Sequence, residues 1–429
     1  MVDTIINRER GLSDTEVREL LAKGLGRLDL GGRRVLVVIP DGTRTAPIGL
    51  FFALLGDLLG EKVEALDYLI ALGTHPPMED AAKGRLLETT VVDGMAGSSR
   101  IFNHRWEIPE TFSTLGTIPS EEVAAATDGK LAIDIEVRLN QLVGDADGNM
   151  SYDHILVCGP VFPHEVAGFS GGNKYFVPGV AGQEVIDATH WVGALVTSQE
   201  IIGVRETPVR RLIERAASFI PTPRSLIALV MHGQELHGVF MGGMEDAWRS
   251  ATELSAELDI VWIERPFRRV LSVMPEMYDD LWTGAKGMYK LEPAIADGGE
   301  VVIYAPHITE VSYVHGHYLD QIGYHVRDYF VAQWEKFEHI PWGVLAHSTH
   351  LRGAGTYVAG VEEPRIRVTL ATGIPRERCE AIGLGYLDPA LVDLQEWEDR
   401  EDEGLLLVRR AGEQLYRVKG DDHILEDER

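Results

Sequence analysis

The segment "RVLVVIPDGTRTAP" opens with an unbroken apolar run, Val35 to Ile39, and then turns abruptly into Pro, Asp and Gly. An uninterrupted run of this length predicts a strand covered on both faces, as in a parallel sheet, that empties into a loop. The next stretch, "IGLFFALLGDLLG", has helical spacing. The same apolar-run-then-loop pattern returns in "ALDYLIALGTHPPM" and again in "HILVCGPVFPHEVAGFSGG". Strands that alternate with helical segments predict an α/β architecture with a mainly parallel sheet. Such sheets carry their sites just beyond the carboxyl ends of the strands, so the three loops are expected to converge.

A second α/β unit is expected from "RRVLSVMPEMYDDLWTGAKGMYKLEPAIADGGEVVIYAPH", where "VLSVMP" and "EVVIYAP" read as strands around a helix. The 429 residues exceed one ordinary core, since domains usually run to about 100–200 residues. The expected fold class is therefore two α/β domains with mainly parallel sheets and an active site in the cleft between them. The expected division is 1–265, 266–390, and a C-terminal segment 391–429 that packs back on the N-terminal domain. No short-period repeat or low-complexity linker is visible.

Composition narrows the function. The 40 Lys+Arg against 67 Asp+Glu give a net charge of −27, which argues against a nucleic-acid phosphate backbone or an anionic membrane as partner. The acidic residues gather near the end, in "LQEWEDREDEG" and "DDHILEDER", so a locally cationic pocket can still draw a small anion. Two cysteines, Cys158 and Cys379, are too few for a disulfide framework or thiolate cluster and fit free thiols in a reducing compartment. The N-terminus lacks a signal-peptide apolar core, and no run of about 18 apolar residues occurs, so the cytoplasm is the expected location.

Candidate chemistry lies in the loops. Arg44, just past a strand, can clamp a carboxylate or phosphate through paired hydrogen bonds, with Asp41 and Thr43 placed to orient it or touch a ligand hydroxyl. A surface arginine is the plain alternative. His75, stiffened by the following prolines, is a candidate base, although a lone loop histidine is commonly incidental. In "HEVAGFSGGNKYFVPG", Gly168, Gly171 and Gly172 with Ser170 allow close backbone approach and expose amide donors. Asn173 separates Gly172 from Lys174, and Tyr175 follows, so this is not a Walker loop. Lys174 there can be a point charge, a Schiff-base amine, a cofactor tether or a solvent lysine. His164 and His190 lack zinc-helix spacing, and the pairs His315/His317 and His347/His350 are ordinary polar residues or adventitious metal ligands.

Taken together, "DGTRTAP", "ALGTHPPM", "HEVAGFSGGNKYFVPG", "DATHW" and "GAKGM" resemble the nickel-dependent lactate racemase family, whose members racemise or epimerise 2-hydroxy acids. The resemblance covers residues 41 to about 290 and is architectural beyond. It implies that the N-terminal domain binds a nickel pincer nucleotide (nickel pyridinium-3,5-bisthiocarboxylic acid mononucleotide) held covalently by Lys174 through a thioamide, with Gly171 and Gly172 admitting it. It further implies His190 as the protein ligand to nickel, His75 and His164 as the acid/base pair, Arg44 as a substrate clamp and Lys286 as a second cation for the substrate anion. Proteins that make and load the cofactor are implied partners. Lactate racemase itself has a glutamine three residues before the second-domain lysine, where this chain has Thr283. That departure favours a malate-like or other small hydroxy acid over lactate, with Arg352 as candidate partner for a distal carboxylate.

Two other classes compete. A non-catalytic carrier of the nucleotide or of an organic anion would need no acid/base pair. A dehydrogenase using free NAD would need a G-x-G-x-x-G after a strand, with an acidic residue about 20 positions on, and none is present.

Overall fold

The computed structural model describes residues 1–145 and 147–420; the acidic stretch "DDHILEDER" lies outside the described residues. Each apolar run is a strand. Arg34–Ile39, Ala65–Ile70 and His154–Pro160 are buried almost throughout, as strands covered on both faces must be. The helix Ile48–Leu59 buries Ile48, Phe51, Leu55 and Leu59 at helical spacing, and they join Val35, Val37, Ile39 and Tyr68 in one apolar core. Each such side chain contributes about 1.5–3 kcal/mol relative to exposure.

The described residues divide into two units, one of Met1–Phe162, Phe169–Thr189 and Arg210–Leu258, the other of Pro163–Gly168, His190–Val209 and Asp259–Arg429. The first unit holds an eight-stranded sheet. Its centre is parallel, in the order Arg224–His232, His154–Pro160, Arg34–Ile39, Ala65–Ile70, Ser99–Asn103. Glu235–Gly242 and Asp3–Ile6 extend one edge antiparallel, and Met95–Ala96 the other. From Arg34–Ile39 the chain first builds outward through Ala65–Ile70 and Ser99–Asn103, then returns to the opposite side with His154–Pro160. This reversal is a topological switch point, where the loops beyond the carboxyl ends diverge and leave a crevice.

The second unit holds a five-stranded, wholly parallel sheet in the order Gly385–Tyr386, Arg367–Thr372, Ile295–Ala305, Phe267–Val273, Leu405–Val408. Short helices Leu281–Gly284 and Lys286–Tyr289 lie between the two strands expected there. The C-terminal segment from 391 onward contributes strands to this unit. Leu405–Val408 pairs with Phe267–Val273, and Leu415–Val418 with Ile260–Ile263, because their apolar residues complete those sheets. Among the described residues no helix is long and apolar enough to cross a membrane.

Candidate active site

In the first unit the loops after three adjacent strands, Arg34–Ile39, Ala65–Ile70 and His154–Pro160, come together as expected. The loop after Ala65–Ile70 donates from the Gly73 amide to the Gly179 carbonyl at 2.9 Å, which ties it to the glycine-lysine loop. The His75 amide donates to the Leu72 carbonyl at 2.9 Å, and the Trp106 indole donates to the His75 carbonyl at 3.0 Å.

The side chains form a continuous chain. His75 Nδ1 lies 2.5 Å from Asp41 Oδ2, while Asp41 Oδ1 accepts from the Thr43 hydroxyl at 2.6 Å and the Thr43 amide at 3.1 Å. Arg44 Nη1 donates to Thr43 Oγ1 at 2.8 Å. Asp41 is buried, and burial alone would raise its carboxyl. The His75 hydrogen bond and charge, with Arg44 and Thr43, outweigh that and hold it below the ordinary carboxylate range. A carboxylate at Nδ1 places the ring proton there and leaves the Nε2 lone pair free to accept, the arrangement of an oriented base. Sequence reasoning expected Asp41 and Thr43 to orient Arg44 or touch a ligand; the structure shows Thr43 on Arg44 and Asp41 on His75.

Lys174 sits half-buried in a single 3-10 turn, Gly172–Tyr175, and its amide donates to the Gly171 carbonyl at 3.2 Å. Gly171 and Gly172 have φ +77 and +59, and added Cβ atoms would stand 2.5 Å from Val161 Cγ2 and 3.0 Å from Trp248 Cδ1. These glycines serve the loop's own packing, since the space a side chain would need is filled by protein. Tyr175 is half-buried with its hydroxyl against Gly159, and desolvation raises that hydroxyl; the charges of Arg44 and Asp41 also act on it, which places the lysine turn beside the Asp41–Arg44 loop.

The second unit contains the other expected residues. His164 is buried, and its Nδ1 accepts the Val166 amide at 3.1 Å; the Glu165 carboxylate lies 3.3 Å from the same nitrogen. His190 lies on the helix Gln183–Val196. Burial pushes His347 well below the usual range and His350 down to about 4. The imidazole of His190 acts on both in the same direction, which sets the three rings near one another. Trp282 stacks on His347 at 4.0 Å and tilts against His315 at 4.6 Å, whereas His317 is exposed beside Tyr318. No group of three or more His, Cys, Asp or Glu among the described residues could hold a metal ion.

Thr283 is half-buried within the short helix Leu281–Gly284, which Asp280 caps. Asp280 Oδ1 accepts from the Thr283 amide at 3.0 Å and hydroxyl at 2.9 Å. Lys286 Nζ stands 4.7 Å above the Tyr278 ring. Arg352, expected to face a distal carboxylate, is engaged otherwise: Nη1 donates to the Gly383 carbonyl at 2.8 Å and Nε lies 3.7 Å from Glu362 Oε1. Sequence reasoning missed Arg210 and Trp248, which lie on helices and carry no motif.

Residues 15–203 match the lactate racemase N-terminal domain family. A lactate racemase of Thermoanaerobacterium thermosaccharolyticum is 27% identical over 292 residues, 66% of this chain and 62% of that protein, so the match spans less than two thirds of the relative. A crystal structure of a Thermotoga maritima protein superimposes with TM-score 0.87 at 32% identity, covering 97% of this chain and 100% of that one. The lactate racemase apoprotein of Thermoanaerobacterium thermosaccharolyticum superimposes with TM-score 0.71 at 18% identity over 95% of this chain and 94% of that one, which shows the shared fold.

Proposed function

We propose that this chain, whose residues 15–203 match the lactate racemase N-terminal domain family, is an isomerase that inverts C2 of a small 2-hydroxy acid. The observation that carries the reading is the Arg44–Thr43–Asp41–His75 chain, an oriented base tied to a guanidinium able to take a carboxylate in two parallel hydrogen bonds. A carrier has no use for a base whose tautomer is fixed by a buried carboxylate.

The residues present fit a nickel pincer nucleotide. Lys174 offers an amine on the 3-10 turn Gly172–Tyr175, and His190 offers an imidazole near His347 and His350. Lys174 would hold that group covalently through a thioamide and His190 would ligate its nickel. When bound, the group supplies a reversible acceptor for the hydride that leaves C2.

The chain's own residues handle the proton. An alcohol cannot be deprotonated in advance by imidazole, so His75 Nε2 accepts the hydroxyl proton as the C2–H bond breaks. His164, entering this direction as the imidazolium, returns a proton from Nε2 to the oxygen as the opposite configuration forms and is left neutral; in the reverse direction the roles exchange. Lys286 adds a second cation for the substrate carboxylate. Thr283, where lactate racemase has glutamine, favours a malate-like or other small hydroxy acid over lactate. The loaded enzyme requires cofactor-making partner proteins, and the two buried free thiols suit the cytoplasm.

The test is chiral chromatography on protein produced alongside a cofactor-making pathway, after incubation with single enantiomers of lactate, malate, phenyllactate and gluconate. Inversion at C2, absent in Lys174→Ala, is expected. No conversion of any of the four by protein shown to carry nickel and the adduct would favour the carrier reading.

A further inference from the structure

Arg210 is 1% exposed, and its acidic neighbour, Glu214, lies at 3.5 Å with a side chain 40% exposed. Burying a guanidinium costs several kcal/mol unless its donors are used, so its placement needs a local reason. The reason lies in three consecutive carbonyls of the glycine-lysine loop. Arg210 Nη2 donates to the Phe169 carbonyl, Trp248 Nε1 to the Ser170 carbonyl at 2.8 Å, and Arg210 Nη1 to the Gly171 carbonyl at 3.4 Å. The guanidinium carbon stands 4.1 Å from the Trp248 ring centroid, so the two side chains brace each other. Glu214 extends the brace by accepting from Asn173 Nδ2 at 2.5 Å. From the other side, Ser170 Oγ donates to the Pro160 carbonyl at 3.1 Å and accepts the Phe162 amide at 2.9 Å.

The Gly171 carbonyl that takes Arg210 Nη1 also takes the Lys174 amide. Arg210 is therefore one hydrogen bond from the backbone of Lys174. We propose that Arg210 and Trp248 are positioning residues that fix the Phe169–Gly171 carbonyls and so set where the Lys174 amine is presented for covalent attachment. The proposal rests on the reading of Lys174 as the attachment point. A loop whose carbonyls were merely hydrated would let the 3-10 turn fray, and the amine would sample many positions.

The test compares wild type, Trp248→Phe, Arg210→Lys and Arg210→Met as full chains. Trp248→Phe keeps the ring under the guanidinium and removes only the N–H to Ser170; Arg210→Lys keeps the charge and loses the fork across two carbonyls. Two readouts are taken beside thermal melting: the occupancy of the Lys174 adduct by intact mass, and the rate at which Lys174 of unloaded protein is labelled by trinitrobenzenesulfonate, followed by peptide mapping. At unchanged folded fraction, Trp248→Phe is expected to lower adduct occupancy and to change the Lys174 labelling rate about fivefold, the weight of one ordinary hydrogen bond. Arg210→Lys should recover part of what Arg210→Met loses. A role in stability alone would lower the melting temperature and leave labelling per folded molecule as in wild type, and that result in Trp248→Phe overturns the proposal. If wild type carries no adduct, the attachment reading fails, while the labelling rate still decides whether these residues place Lys174.

Discussion

Replacing Asp41 by asparagine should reverse the proton on His75 and cripple one half of the reaction. Asp41 Oδ1 accepts two donors, the Thr43 amide at 3.1 Å and hydroxyl at 2.6 Å, whereas Oδ2 faces His75 Nδ1 at 2.5 Å. An asparagine keeps its carbonyl oxygen toward Thr43 and turns its NH2 to the ring. Nδ1 must then accept, the proton moves to Nε2, and the lone pair that takes the substrate proton is lost. The bond removed is charge-assisted and worth about 1.5–3 kcal/mol, which converts to a loss of about 10- to 150-fold in kcat/KM. Chiral chromatography from each enantiomer measures the loss, nitrogen-15 NMR of the imidazoles reports the tautomer, and thermal melting checks the fold. Activity within twofold of wild type, or a wild-type His75 with its proton already on Nε2, would refute the reasoning.

Other outcomes follow from the same structure. His104 is buried and pushed down to about 4, so between its unfolded value of about 6.5 and pH 4 the unfolded chain binds a proton that the fold refuses. Stability should therefore fall as pH drops through that window, by about 2 kcal/mol at pH 5 from His104 alone, whereas Asp41, held low in the fold, loses nothing there. Urea titrations at pH 7 and pH 5 measure this, and a well-folded His104→Gln that shows the same difference as wild type would contradict the assignment. Arg352→Ala should harm monocarboxylate and dicarboxylate turnover equally, because its guanidinium is engaged with Gly383 and Glu362; a selective loss on malate would restore it as a substrate contact. Exchange of His190 should lower nickel retention in loaded protein while the Lys174 adduct persists by intact mass, and full nickel retention would show that His190 is not the ligand.

The sequence by itself determined the strands, and the loops that carry the chemistry, because a strand buried on both faces must be continuously apolar and must end where polar residues begin. Arg34–Ile39, Ala65–Ile70 and His154–Pro160 were legible for that reason, as were Asp41, Arg44, His75 and Lys174 beyond or near their ends. It left open which strands are neighbours. Only the tertiary structure set His154–Pro160 and Ala65–Ile70 on either side of Arg34–Ile39, and the three loops meet because of that order. Hydrogen bonds across long sequence separations were equally invisible: nothing in "PVRRLIERAA" distinguishes buried Arg210 from half-buried Arg211 and Arg215, and the Asp41–His75 pair spans separate loops. Likewise, the C-terminal strands have too little pattern of their own to name a sheet, and found one through the edges they complete. Local pattern follows from burial of each residue's own side chain, whereas partner choice depends on which surfaces the folded chain brings into contact.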